Sequence, residues 1–183
     1  MQMTKREIRE EIKRKRAAMG IEEWRMKSRQ DCERIWNLRS YQRADVIYAY
    51  LGTRGEVLLD ELIEDAWRQG KKVAVPRVMG TGLRFEELTD LSEVKVSHLG
   101  IREPLSGRLV RGERPLFLMP AVAVDKKLHR IGRGGGHYDR YLEQNPMPVK
   151  YAVVFEYQIY SSVPAEVFDI MADGVVTEER IIG

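Results

Sequence analysis

The chain is poor in several features that usually announce a function. One cysteine, Cys32, among 183 residues rules out an intrachain disulfide, and this thiol is expected to pack as a small apolar group. No apolar run reaches the roughly 20 residues that cross a bilayer, and no secretory leader is apparent, so a cytoplasmic location is the expectation. Two common phosphate-binding fingerprints are also missing. The glycine-rich stretch RIGRGGGHYDRYL (130–142) lacks the Lys-Ser or Lys-Thr that closes G-x-x-x-x-G-K-[ST]. His137 stands where G-x-G-x-x-G needs its last glycine. Aromatics are 8% of the chain, and residues 1–20 contain none. That argues against nucleic-acid binding by base stacking on the first helix.

What is present describes a single globular domain over residues 1–183, with 43% hydrophobic and 32% charged residues. The net charge of +3 is uneven. Lys5, Arg6, Arg9, Lys13, Arg14, Lys15 and Arg16 face only Glu7, Glu10 and Glu11 within residues 1–20, and the remainder nets −1. Such a cluster either attracts anions or forms a solvated helix face with pairs such as Glu10–Arg14 and Glu11–Lys15.

Residues 4–18 read as a helix, with Thr4 and Glu7 in capping-box spacing and a thin stripe of Ile8 and Ile12. Gly20 breaks it, and a second helix is expected over 21–38. Together, 1–40 should form a helical hairpin packed on an α/β body of 41–183. VIYAYL (46–51) predicts a buried strand, 56–70 a helix and KKVAVP (71–76) a second strand, hence a parallel pair with a right-handed crossover. LRFEEL (83–88) suits an edge strand. PLFLMPAVAVD (115–125) suits one strand interrupted by Pro120. A helix follows over 138–144, then strands at 150–156 and 174–179. The fold class is α/β with a mainly parallel sheet in a three-layer, Rossmann-like architecture. Such sheets bind ligands at the carboxyl ends of their strands, so segments 51–56, 76–80, 120–125, 130–142 and 155–158 should share one crevice.

Three successive glycines expose backbone N–H groups, and a helix N-terminus behind them adds partial positive charge. With Arg130 and Arg133 as arms, the stretch suits a phosphate cradle, a tight structural turn or a surface loop. Asp139 would repel a phosphate unless a cation such as Mg²⁺ lay between them.

MPAVAVDKKLHRIGRGGGHYDRYL (119–142) resembles the signature of the 5-formyltetrahydrofolate cyclo-ligases. KREIR (5–9), LGTRGEV (51–57), VAVPRV (73–78), GIREP (100–104), FEYQ (155–158) and VPAEVFDIMADGVVTEE (163–179) are similar to other family segments in the same order. The resemblance implies an ATP- and Mg²⁺-dependent cyclisation of 5-formyltetrahydrofolate to 5,10-methenyltetrahydrofolate, through phosphorylation of the formyl oxygen and attack by N10. It implies that Lys5, Arg6, Glu7, Ile8 and Arg9 meet ATP, together with Arg130, Ile131, Gly132, Arg133, Gly134, Gly135, Gly136, His137 and Tyr138. Leu51, Glu56, Arg133, Gly134, Gly135, Gly136 and His137 would contact the folate. Arg133 and Asp139 would be catalytic, with Asp139 and Asp169 as Mg²⁺ ligands. Read without the family, Glu56 is an acid in the first turn of the 56–70 helix, Asp169 a loop carboxylate and His137 a solvent-facing loop residue.

Some positions differ from the family pattern: His137 for Tyr or Phe, Val124 for Phe, Phe168 for His, and a spacer DKKLHR (125–130) without its glycine. A paralogue acting on another folate or N-acyl compound is one alternative reading. A phosphate-binding isomerase or transferase is another, and an RNA-binding protein using the basic helix is the non-enzyme one. Asp139→Asn is expected to impair Mg·ATP-dependent turnover and leave the fold intact.

Overall fold

The computed structural model describes residues 3–98 and 100–183. Helix α1 (Lys5–Ala18) starts on the expected box: the Thr4 hydroxyl accepts from the Glu7 N–H at 3.2 Å, and the Glu7 carboxylate accepts from the Thr4 N–H at 2.7 Å. Gly20 caps α2 (Ile21–Trp36), and a short α3 (Arg39–Arg43) leads into β1 (Val46–Tyr48). Helix α4 (Asp60–Arg68), β2 (Lys72–Met79) and β3 (Gly82–Glu87) follow. A separate hairpin joins β4 (Val94–Val96) to β5 (Arg102–Pro104). Then come β6 (Pro115–Pro120), β7 (Ala123–Asp125), β8 (Arg130–Ile131) and α5 (His137–Gln144). The chain ends with β9 (Lys150–Val153), β10 (Ile159–Tyr160), β11 (Gly174–Val176) and β12 (Ile181–Ile182).

Seven strands form the main sheet in the order β12-β11-β9-β6-β1-β2-β3. Its inner five are parallel, and β12 and β3 close the edges antiparallel. Strand alternation buries both faces. Ile47, Val73, Val75, Leu116 and Leu118 point into one core with Cys32, Ile35, Leu62 and Ile63 from α2 and α4. Val46, Tyr48, Ala74, Phe117 and Met119 point into the other with Leu142 from α5. That is the expected three-layer arrangement. Helix α1 lays Ile8 and Ile12 on Val122, Ala123 and Ile131.

Two boundaries depart from expectation in ways that shape the site. The run 115–125 is two strands in two sheets. β6 belongs to the main sheet, whereas β7 pairs with β8 and β10 in a three-stranded sheet. Pro120 has no N–H to continue the ladder, and the chain changes sheet at Ala121 and Val122. The helix expected at 56 starts at Asp60, because residues 53–56 form a turn closed by the Glu56 N–H to the Thr53 carbonyl at 2.9 Å.

Candidate active site

A cavity of about 340 Å³ opens beside the carboxyl ends of β1 and β6. Four of the expected segments reach it: Leu51, Thr53 and Glu56; Pro76 and Val78; Pro120 to Val122; and the glycine stretch. Residues 155–158 do not line it among the described residues. They serve its floor, since the buried Gln158 donates to the Ala121 and Val122 carbonyls, both at 2.9 Å.

The glycine loop is held from three sides. Behind it, Tyr138 and Tyr141 of α5 pack on Phe85 and Phe117, with Tyr141 at 4.7 Å from the Phe85 ring centre. From α1, Arg9 Nε donates to the Gly132 carbonyl at 2.9 Å, and its guanidinium stands against Gly134. From α5, Arg140 donates to the Gly135 carbonyl at 2.6 Å and to the Thr81 carbonyl on the β2–β3 turn. Gly136 caps α5 with a left-handed φ of +64°, and a Cβ there would lie 2.6 Å from Arg140. Among the described residues, no protein acceptor takes the backbone N–H groups from Arg133 to Asp139. A run of free N–H groups ending at a helix N-terminus is what an anion needs.

Glu56 is buried and reaches across the cavity to Arg133 at 2.7 Å. Its other oxygen accepts from the Thr53 N–H at 3.0 Å and from the Thr53 hydroxyl at 3.1 Å. It therefore lies outside the first turn of the following helix, which corrects the local reading of this acid. A buried carboxylate with one oxygen on a half-exposed guanidinium can exchange that partner for N–H groups of a ligand. Tyr138 and Tyr50 line the same cavity, and burial, reinforced by Glu56, pushes both phenols well above their ordinary range. Both stay neutral donors at neutral pH.

Asp139 accepts from Arg130 at 2.7 Å and from the Ile170 N–H at 3.0 Å, both on Oδ1. The Arg130 side chain is 3% exposed, so this is an interior ion pair. One residue earlier, Asp169 holds Lys5 at 2.7 Å, and Glu166 holds the same ammonium at 2.8 Å. Burial works against the Lys5 charge, but the bonds to Asp169 and Glu166 outweigh it and hold its pKa above the usual lysine value. The 166–170 segment thus ties the start of α1 to the start of α5.

The expected residues separate into groups. Leu51, Glu56, Arg130, Gly132, Arg133, Gly135, Gly136, His137, Tyr138 and Asp139 line the cavity. Gly134 and Arg9 meet beside it. Ile8 and Ile131 place their side chains in the core, Glu7 closes the cap and Arg6 is exposed. Lys5 and Asp169 pair with each other outside the lining. No group of three His, Cys, Asp or Glu among the described residues could hold a metal by itself. Mg²⁺ asks for less, one or two carboxylates with phosphate oxygens and water. Asp139 suits that demand, since its hydrogen bonds fall on one oxygen and it faces the cavity. Sequence reasoning gave no role to Tyr50 or Arg102, which also line it. Arg102 could have been noticed, because it sits in the family-like GIREP, where it binds Asp60 at 2.7 and 3.0 Å. The missing spacer glycine has a visible consequence: Leu128 takes a φ of +70°. Asp125 keeps that turn by accepting from the N–H groups of Lys127 and His129 at 2.9 and 3.1 Å.

Comparison with known proteins agrees with this geometry. Residues 1–178 match the 5-formyltetrahydrofolate cyclo-ligase family. The 5-formyltetrahydrofolate cyclo-ligase of Escherichia coli K12 is 31% identical over 182 residues, covering 93% of this chain and 98% of that one. The mouse 5-formyltetrahydrofolate cyclo-ligase is 28% identical over 190 residues, covering 96% and 94%. Among solved structures, the 5,10-methenyltetrahydrofolate synthetase of Aquifex aeolicus superposes with a TM-score of 0.86 at 28% identity, covering 98% of this chain and 92% of that one. The Mycoplasma pneumoniae synthetase, at 22% identity and a TM-score of 0.76, shares the fold over 96% of this chain and 99% of its own. A match that takes in helix α1, the Glu56 turn, the glycine loop and the 166–170 tie together leaves one assignment: this chain belongs to the 5-formyltetrahydrofolate cyclo-ligase family.

Proposed function

We propose that the protein closes 5-formyltetrahydrofolate to 5,10-methenyltetrahydrofolate at the expense of ATP, releasing ADP and phosphate. The observation that carries the reading is the meeting of two dissimilar recognition elements in one cavity. A loop of free N–H groups suits phosphates, and a buried carboxylate on an exchangeable arginine suits a heterocycle with N–H edges.

The formyl oxygen on an amide-like nitrogen is a poor leaving group. Transfer of the γ-phosphoryl group to that oxygen makes it a phosphate leaving group and makes the carbon electrophilic. N10 of the same folate then attacks the carbon, loses its proton, and the C–O bond breaks to release phosphate. The chain's contribution is alignment and charge stabilisation. In this reading, the N–H groups from Arg133 to Asp139 and the cations Arg9 and Arg130 orient the phosphates, and Lys5 joins them by exchanging Asp169 and Glu166 for the nucleotide. Glu56 receives the N–H edge of the pterin, and Leu51 and His137 pack on the ring. Release of Glu56 frees Arg133 to face the transferring phosphoryl group. Mg²⁺ would be held by Asp139, with Asp169 as a further candidate, and supplies neutralisation of phosphate charge. A cytoplasmic setting is compatible with the demand for ATP. No helix of the described residues is long and apolar enough to cross a membrane.

The test is direct. Purified protein is mixed with Mg·ATP and 5-formyltetrahydrofolate, and the methenyl absorbance band and ADP are followed together. Equimolar appearance of both supports the reading. A folded sample that yields neither refutes it, and ADP alone would favour a phosphate-handling enzyme with another acceptor.

A further inference from the structure

A polar group removed from water normally keeps a hydrogen-bond partner. Among the described residues, Tyr50 and Arg130 are the cavity-lining side chains that hold a buried polar atom without one. Arg130 still gives its guanidinium to Asp139 at 2.7 Å. Tyr50 has no such outlet. It is 3% exposed, and its hydroxyl meets no acceptor or donor among the described residues. An O–H left in that condition destabilises the folded chain, and an acceptor on a ligand removes the penalty.

The hydroxyl is set in place relative to Glu56. Tyr50 stands just past the carboxyl end of β1, where the Ala49 N–H donates to the Ala74 carbonyl at 2.9 Å. Gly52 then lies so close to the following turn that a Cβ there would be 2.7 Å from the Val57 carbonyl oxygen. From α2, Trp24 Nε1 donates to the Glu56 carbonyl at 2.6 Å, and the Ser28 hydroxyl accepts from the Leu58 N–H at 3.0 Å. Strand end and Glu56 turn are thus locked together. Burial above all, then the neighbouring Glu56, Asp31, Tyr138 and Cys32, keeps the phenol protonated. Tyr50 therefore offers a neutral donor near a buried carboxylate.

Other donors of the lining have work elsewhere. Thr53 gives its N–H and its hydroxyl to Glu56, and Arg102 holds Asp60 at 2.7 and 3.0 Å. His137 and Tyr138 belong to the glycine-loop wall at the start of α5. Arg133, in the function proposed above, turns to the phosphoryl group. A tetrahydropterin presents along one edge an exocyclic N–H, a ring N–H and then the C4 carbonyl oxygen. A carboxylate serves the two donors and leaves the carbonyl oxygen beside it in need of a donor. Glu56 with the Tyr50 O–H complements all three positions.

We propose that the Tyr50 hydroxyl donates to the C4 carbonyl oxygen of the pterin and so selects 4-oxo over 4-amino pteridines. The proposal rests on the cyclo-ligase reading, which puts the pterin N–H edge on Glu56. A site built to bond a ligand oxygen rejects an analogue that lacks it, because its own buried group is then left unpaired.

The test compares the parent with Tyr50→Phe, which keeps the ring and removes the hydroxyl. The two compounds are 5-formyltetrahydrofolate and its 4-amino counterpart, the second read as a substrate or as a competitive inhibitor. With Mg·ATP saturating, KM for the 4-oxo compound should rise about three- to tenfold in Tyr50→Phe, as for loss of one neutral hydrogen bond, while kcat and KM for ATP stay within about twofold. The constant for the 4-amino compound should move less than about twofold, so the preference between the two shrinks. The variant should melt no lower than the parent, since an unpartnered buried hydroxyl is what it loses. An unchanged KM for the 4-oxo compound overturns the proposal. Equal weakening of both compounds also overturns it and assigns Tyr50 to ring packing. A fall in kcat at constant KM overturns it as well and moves the hydroxyl to the formyl group. A folded parent that does not turn over 5-formyltetrahydrofolate refutes the cyclo-ligase reading itself, and the proposal with it.

Discussion

Replacing Asp139 with asparagine removes the charge that faces Arg130 at 2.7 Å. The carboxamide oxygen can still accept from the Ile170 N–H, so geometry is largely kept and charge is what changes. Arg130 is then left in the interior with 3% of its side chain exposed and no carboxylate. Breaking a buried pair from one side costs roughly 3–5 kcal/mol. Asp139 is 19% exposed, and water there lowers the cost to about 2–3 kcal/mol. For a chain of this length that lowers the melting temperature by about 4–12 °C. Circular dichroism melts of Asp139→Asn, Arg130→Met and the double variant complete a cycle. The double variant, with both charges gone, should recover most of the loss, giving a coupling of at least about 1 kcal/mol. Assayed well below its melt, Asp139→Asn should still lose Mg²⁺-dependent turnover, and the double variant should regain stability without regaining activity. A single variant that melts within about 2 °C of the parent, with additive effects in the double, would refute the interior-pair reasoning. Unchanged turnover at limiting Mg²⁺ would remove Asp139 from the chemistry. The sequence alone led to an intact fold for this variant. Its pairing with Arg130 changes that expectation.

Three further outcomes are expected. Glu56→Gln keeps an acceptor for Thr53 but loses charge on Arg133 and on the ligand, so KM for the folate should rise about tenfold, as for loss of one charge-assisted hydrogen bond, while the melt moves little; an unchanged KM would place the pterin elsewhere. Gly136→Ala forces a side chain into a φ of +64° and against Arg140, costing about 1–2 kcal/mol; a melt and ATP titration that both match the parent would show that the loop needs no left-handed residue there. Burial, aided by the nearby Glu178 carboxylate, pushes the Asp31 carboxyl up to about 9. Its unfolded value is about 3.9, so folding is favoured below pH 4 and loses stability as pH climbs toward 9. Asp31→Asn should therefore melt higher than the parent at pH 8 by several degrees and equal it near pH 4, and a gain independent of pH would contradict the raised pKa.

Local pattern was enough for much of this protein. The Thr4–Glu7 box, the Ile8 and Ile12 stripe, the alternating strands and the glycine stretch are short-range signals, and each became the element it implied. The ordered family segments also made the crevice legible, because a parallel sheet gathers its strand ends on one side. Tertiary structure decided the pairing of charges. Glu56 and Arg133 are 77 residues apart, and Lys5 and Asp169 are 164 apart. No periodicity links them, since ion pairs form wherever the fold brings two arms together and removes water. The split of 115–125 between two sheets was equally out of reach, because a run of apolar residues reads the same whether one sheet or two receive it. The sequence by itself determined the main helices and sheet strands and the family to which the chain belongs. Only the folded chain determined which cations are paired with carboxylates, as Lys5 is with Asp169 and Arg130 with Asp139, because burial and long-range proximity set the energy of a charge.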